Sequence, residues 1–336
     1  MRRARTRRRF LRDAAALAGA GVSLPMGFAA MRAAAAEQSD RLLLLGTQGG
    51  PNFLPERSET ASAVIVDGVP YLIDCGYGTL AALIRSGLGY RGVANVFLTH
   101  LHDDHTADLA AFLSHQWTGG RIETTTVHGP AGTAALVDAA LEFGAANAAI
   151  RLVDEARTLS PRELVEAVDV AAAESPVEVF EDGRVSVTAV ENSHYPAESR
   201  RRMTHRSVAY RFDTGRRTIV FSGDTAYSSA LVTLARGADV LVCEAMDVAA
   251  MRRAFEAMVA EGAYADNPEG IWRHIVDTHT STADAGRMAR EAGVGLLVLN
   301  HLIPGALGDL PEQAYVDGVR GTWRGDVVVG RDLMEL

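Results

Sequence analysis

Thr99-His100-Leu101-His102-Asp103-Asp104-His105-Thr106-Ala107-Asp108-Leu109 is the most distinctive segment of the chain. Three of the chain's ten histidines fall within positions 100–105, and with Asp104 they spell H-x-H-x-D-H. The run Asn95-Val96-Phe97-Leu98 just before is short and apolar, as a buried strand is. Imidazoles two apart share one side of an extended backbone, whereas a helix would place them on different faces. A carboxylate and a third imidazole follow as the chain turns, so four donors can converge on one small volume. Nitrogen and oxygen donors of this kind hold zinc or a similar borderline metal. A solvated loop with chance histidines would not need such clustering.

The composition around this stretch is globular. The chain has 336 residues, 48% hydrophobic and 22% charged, enough for a sizeable core in one large or two ordinary domains. The first three dozen residues read differently. Thr6-Arg7-Arg8-Arg9-Phe10-Leu11-Arg12 resembles a twin-arginine export signal. An alanine-rich stretch over 14–30 follows, and Ala34-Ala35-Ala36 before Glu37 offers a cleavage site. That stretch is too rich in Gly and Ala for a permanent membrane span. The expectation is an export signal at 1–36, handled by the twin-arginine translocation machinery, and a mature domain at 37–336 in the periplasm or outside the cell.

Residues 1–36 hold eight Arg and one Asp, a net of +7, so against −9 for the whole chain the remainder carries −16. So acidic a domain suits phosphate backbones poorly, because these are gripped by clustered Lys and Arg. No nucleic-acid partner is expected, and a small-molecule substrate is. The chain contains no lysine, which excludes a P-loop lysine, a Schiff-base lysine and a Ser-Lys dyad. Cys75 and Cys243 cannot form a disulfide framework. They read as two buried thiols at strand ends, with a single bridge as the other option.

Apolar runs predict strands over 41–45, 63–67, 71–74, 95–99, 124–128, 185–191, 207–212, 218–221, 239–243 and 295–300. Helical patterns lie over 79–86, 107–115, 131–143, 227–235, 248–260 and 282–292. Between 150 and 180 the signals are weak. Gly46-Thr47-Gln48-Gly49-Gly50-Pro51 is a flexible loop, not a dinucleotide fingerprint, because no helix start follows it. The pattern is α+β, mixed sheets with helices outside and no second domain boundary. One feature recurs: His or Asp where an apolar strand gives way to a loop, at His100 and its neighbours, His194, Asp224 and His301. Strand ends along one sheet edge are where a fold can gather distant residues.

On these residues the chain resembles the metallo-β-lactamase-fold hydrolases, and among them the ribonuclease Z and arylsulfatase-like branch, over nearly all of 41–336. Thr99 to His105 matches that family's metal motif. Phe221-Ser222-Gly223-Asp224-Thr225 matches its bridging-aspartate strand, Leu299-Asn300-His301 its last histidine, and Asp74-Cys75-Gly76 with Gly78 its acidic turn. The resemblance implies a four-layer αβ/βα sandwich. It also implies two zinc ions, with manganese or iron as other metals: one on His100, His102 and His194, the other on Asp104, His105 and His301, with Asp224 bridging. A homodimer follows from the same analogy.

The implied activity is hydrolysis of a small-molecule ester by a metal-bridging hydroxide, the bond being a sulfate ester, phosphodiester or lactone. A β-lactam hydrolase and a ribonuclease Z-like phosphodiesterase are the alternatives. An iron redox protein and a non-catalytic metal binder are readings from other classes, weakened by intact histidines and a complete ligand set. Candidate catalytic residues are Asp104, His279 and Glu244. In ribonuclease Z a matching histidine assists the leaving group and a glutamate orients it; here the pair reads equally as a helix-start carboxylate and a cap-region histidine. Asp74 reads as an acceptor for a ligand imidazole or as a turn residue. Residues 246–276 read as a helical flap or as a helix on the core. Arg200-Arg201-Arg202 reads as an anion contact or a solvated run, and Trp117 as pocket wall or core.

Overall fold

The computed structural model describes residues 40–50, 52–305 and 310–336, so the export signal read at 1–36 lies outside the described residues. Strands β1 (Arg41–Gly46), β2 (Ala61–Val66), β3 (Val69–Ile73), β4 (Asn95–Phe97), β5 (Thr125–Gly129) and β6 (Val165–Asp169) build the first sheet. Strands β7 (Val177–Glu181), β8 (Ser186–Glu191), β9 (Val208–Asp213), β10 (Thr218–Phe221), β11 (Val240–Met246), β12 (Leu296–Ile303) and β13 (Asp326–Val329) build the second. The last strand, β14 (Met334–Glu335), returns to pair with β1 and completes the first sheet. Among the described residues each sheet has seven strands and the same plan, three antiparallel pairings followed by three parallel ones.

Burial on both faces explains the uninterrupted apolar strands. In β1, Leu42 and Leu44 join the layer between the sheets, with Tyr71, Phe97, Phe212 and Phe221. Leu43 and Leu45 face the other way, towards the helices Thr79–Arg85, Leu109–Thr118 and Thr133–Phe143. Behind the second sheet, Leu241, Leu297 and Leu299 meet Leu231, Met288, Ala289 and Val319 of the helices Ser229–Leu234, Thr282–Ala292 and Glu312–Arg320. The layers therefore run helix, sheet, sheet, helix, as expected.

The weak stretch at 150–180 resolves into the helix Ala145–Asp154, a short helix Pro161–Leu164 and the edge strands β6 and β7. These strands are half-exposed, which is why no alternation announced them. The helix Pro268–Thr278 pairs with the helix Val248–Ala260 over a cluster of Met246, Met251, Phe255 and Ile303, so 246–276 is a helical pair capping two strand ends. Trp117 is core: it is buried beside Ala148 and Leu164 and donates its indole N–H to Leu159 O. Cys75 and Cys243 are both buried free thiols in separate layers.

The H-x-H-x-D-H segment leaves the C-terminal end of β4 between the sheets. Phe97 meets Phe212 edge-to-face at 5.1 Å and Tyr210 at 5.7 Å. Tyr210 donates its hydroxyl to Leu98 O at 2.9 Å, a buried bond from the second sheet to the residue preceding Thr99. Tyr210→Phe should cost about 1–2 kcal/mol, because the Leu98 carbonyl loses a buried partner. A urea midpoint unchanged by that substitution would show that the bond does not anchor the segment.

Candidate metal centre

All seven ligand candidates meet where the two sheets' strand ends face each other. His100, His102 and His194 form one group and Asp104, His105, Asp224 and His301 a second, the donor atoms of each group lying within 4.8 Å of one another. Asp224 stands between the groups, its Oδ1 3.2 Å from His105 Nε2 and its Oδ2 3.2 Å from His301 Nε2 and 3.8 Å from His100 Nε2. His301 Nε2 also lies 3.1 Å from Asp104 Oδ2.

The backbone is shaped for this convergence. His301 lies within β12, not beyond its end as the sequence suggested: Asn300 pairs with Glu244 and Leu302 with Ala245, leaving His301 as the extra residue of a bulge with φ +40°. A bulge re-aims one side chain without ending the strand. Gly223 (φ +55°) brings the Asp224 loop against Thr99 and the start of β9; a Cβ there would lie 2.8 Å from Thr99 Cβ and 2.9 Å from Val208 O. At Gly50 a Cβ would lie 2.3 Å from Asp104 Cβ, and its N–H instead donates to Asp104 Oδ2 at 2.8 Å. Asn192 donates to Ser222 O at 2.8 Å and accepts from His194 N, tying the loop of His194 to that of Asp224.

Hydrogen bonds behind the imidazoles select which nitrogen faces inward. His105 Nδ1 donates to Asp74 Oδ2 at 2.9 Å, and His194 Nδ1 to Thr278 O at 3.1 Å. Asp74 also accepts from the Thr99 backbone N–H at 2.7 Å and from its hydroxyl, whose oxygen lies 3.2 Å from His100 Nδ1. Nε2 of His100, His105 and His194 is thereby left as the nitrogen that faces inward. Asp74 is both a turn residue (φ +59°) and this acceptor. The 3.0 Å and 3.3 Å approaches of His100 Nε2 and His194 Nε2 to His102 Nδ1 are converging donors, the geometry a shared cation needs.

Electrostatics divides the two groups. Burial lowers the pKa of His100, His102 and His194, which keeps them neutral and able to bind a metal. Burial also opposes charge on His105 and His301, but carboxylates outweigh it, Asp224 first, and both are raised. Burial disfavours charge on Asp104 and Asp224 as well, yet the neighbouring imidazoles hold both low. Two buried carboxylates thus call for positive charge, which protons on His105 and His301 supply in the protein alone. Buried His105 Nε2 and Asp224 Oδ1 face each other without a well-formed hydrogen bond to anything among the described residues. A cation between them answers both, so the residues fit a metal ion there, and His100, His102 and His194 offer a second set of donors beside it.

Glu244 lies inside β11, not after it, and accepts from His279 Nδ1 at 2.8 Å. Burial opposes charge on His279, but Glu244 and then Asp224 outweigh it and lift the imidazole to about 9. The pair adjoins the centre, with Asp224 Oδ2 3.7 Å from His279 Nδ1. Two neighbours went unread in the sequence. Tyr195 is buried with its ring 4.8 Å from that of His194. His274 sits one helical turn before Thr278, its ring 5.8 Å from His194 and 6.3 Å from His102. The relation of His274 to Thr278 on one helix face was the available signal. Of the arginine run, Arg200 pairs with Glu191 at 3.0 Å, while Arg201 and Arg202 are exposed. A cavity of about 510 Å³ lies between the two capping helices, lined by Phe255, Val259 and Trp272, and takes in none of the seven candidates.

Asp74→Asn keeps the size and turn preference of Asp74 but sets an amide against the His105 N–H. The expected result is divalent-metal affinity weakened about 10- to 100-fold, read by competition with a chromophoric chelator. Unchanged affinity would mean that Asp74 does not orient His105.

Residues 70–302 match the family described as the beta-lactamase superfamily domain. The chain is 30% identical over 298 residues to the ribonuclease Z of Mycobacterium avium, covering 86% of this chain and 95% of that protein. Among solved structures, the metallo-beta-lactamase fold protein YhfI from Bacillus subtilis superposes with a TM-score of 0.61 at 18% identity, covering 88% of this chain and 98% of that one. Human tRNase Z, short form, does so with a TM-score of 0.59 at 21% identity, covering 88% and 98%. Sheet plan, donor convergence and shared sequence thus agree: the chain belongs to the metallo-β-lactamase superfamily, as a metal-dependent hydrolase with ribonuclease Z homologues.

Proposed function

We propose that the chain is a dinuclear zinc phosphodiesterase in which His100, His102 and His194 hold one ion, Asp104, His105 and His301 the other, and Asp224 both. The observation that carries the reading is the Glu244–His279 pair at 2.8 Å beside the seven converging donors. Ribonuclease Z relatives that share almost the whole of their length with this chain support it. They favour the phosphodiester over the sulfate ester, lactone or β-lactam that the sequence also allowed.

Zinc bound there would polarise a phosphoryl oxygen and lower the pKa of water from ~15.7 towards ~7. The remaining steps belong to the chain. Glu244 fixes the His279 ring through Nδ1 and holds it protonated at neutral pH, since it is raised to about 9. When the water oxygen bonds to phosphorus and the bond to the leaving oxygen breaks, His279 delivers its proton to that oxygen. Asp74, Thr99 and Thr278 O keep the ligand rings from turning. The −16 charge of residues 37–336 favours a small diester over a long polyanion.

Zinc-loaded protein should hydrolyse bis(p-nitrophenyl) phosphate in preference to p-nitrophenyl sulfate, a lactone, a cephalosporin and a precursor transfer RNA. Asp224→Ala should abolish that turnover with the fold retained by circular dichroism. Activity confined to the cephalosporin or to the sulfate would sink the reading, and cleavage of the RNA alone would remove its small-substrate part. Export by residues 1–36 belongs to the same proposal. Cell fractionation should find the full chain in the periplasm, and Arg7→Lys with Arg8→Lys should leave it in the cytoplasm.

A further inference from the structure

The six buried candidates His100, Asp104, His105, His194, Asp224 and His301 are closed off from solvent. In the surrounding imidazole cluster, His102 and His279 are partly accessible and His274 is exposed. Among the described residues these three rings are the solvent-accessible part of the imidazole cluster. His102 and His279 already have tasks in the centre, whereas His274 has none.

Its position is fixed from two sides. The C-terminal Thr278 of its helix accepts from His194 Nδ1 through its carbonyl, which docks the helix end on the centre. One turn earlier, the His274 ring comes 5.8 Å from His194, 5.9 Å from His279 and 6.3 Å from His102. The Thr278 hydroxyl gives its proton to the His274 carbonyl at 2.7 Å and lies 3.4 Å from His274 Nδ1, too long a contact to hold the ring's proton there, and Nε2 has no hydrogen-bond partner among the described residues. The apolar cluster of the helical pair uses Ile271, Trp272 and Ile275, so His274 is not part of what holds these helices together. An accessible imidazole with a free nitrogen, held over the rings of His102 and His194, is placed to meet whatever those ligands hold in reach.

We propose that His274 is a substrate-contacting residue whose Nε2–H donates to a non-bridging phosphoryl oxygen, beside His279 at the leaving oxygen. This rests on the phosphodiesterase reading above. The division of labour follows from placement: the His279 ring, 5.2 Å from His194 and stacked on His301 at 5.8 Å and 11°, reaches both donor groups, whereas His274 faces the first alone. A donor aimed at an anionic oxygen gains strength as charge builds there in the transition state.

The test uses the full zinc-loaded chain with His274→Ala and His274→Gln, bis(p-nitrophenyl) phosphate and diphenyl phosphate as substrates, and inorganic phosphate as competing ligand. His274→Ala should lower kcat/KM roughly 10- to 100-fold on both diesters alike and weaken phosphate inhibition, with zinc content unchanged. The glutamine, which keeps an N–H near the same place, should recover part of both losses. His279→Ala, by contrast, should lose more on diphenyl phosphate, whose leaving group is poorer. Unaltered kcat/KM and phosphate affinity in His274→Ala would overturn the inference. So would a loss that tracks zinc content, or one confined to diphenyl phosphate. Wild-type protein inert towards both diesters would count against the phosphodiesterase reading, while phosphate affinity, read by calorimetry on the same proteins, would still decide the role of His274.

Discussion

Two buried carboxylates, Asp104 and Asp224, each within 3.2 Å of His301 Nε2, set the terms for the rest of the structure. Charge taken out of water is costly unless it is paired. Imidazoles held protonated by those carboxylates meet that need in the protein alone, and metal ions would meet it by displacing the protons. Much of the surrounding architecture answers this demand. Glycines admit the loops of Asp104 and Asp224 at close range, the β12 bulge turns His301 inward, and Asp74 fixes His105 from behind.

The twofold plan of the sheets explains why the donors can come from so far apart in the chain. In each sheet, three antiparallel pairings are followed by three parallel ones. β4 carries the H-x-H-x-D-H segment out of the first sheet, and β8, β10 and β12 supply His194, Asp224 and His301 from the second. Tyr210 joins the halves at Leu98, two residues ahead of the segment. Stability and site geometry therefore share the same contacts, and a loss at the sheet interface is felt at the centre.

The seven converging residues were legible in the sequence because metal ligation needs particular side chains, and short spacings such as His100 to His105 survive without a structure. Core strands were legible because β1, β2 and β11 are buried along nearly all their length. Edge strands β6 and β7 were not, since half-exposed strands carry mixed residues. The bulge at His301 left no mark, because pairing register is a property of two strands together. His274 was hidden for a related reason: a lone histidine on an amphipathic helix reads as solvated until the partner surface is known. Glu244 and His279, 35 residues apart, drew notice through the family resemblance, and only the fold shows them hydrogen-bonded.

Whether these seven side chains form two adjacent metal sites can be read from anomalous scattering by crystals of the zinc-loaded protein on both sides of the zinc edge. Two peaks are expected, one bounded by His100, His102 and His194 and the other by Asp104, His105 and His301, with Asp224 between them. A single peak, or zinc bound away from these residues, would contradict it.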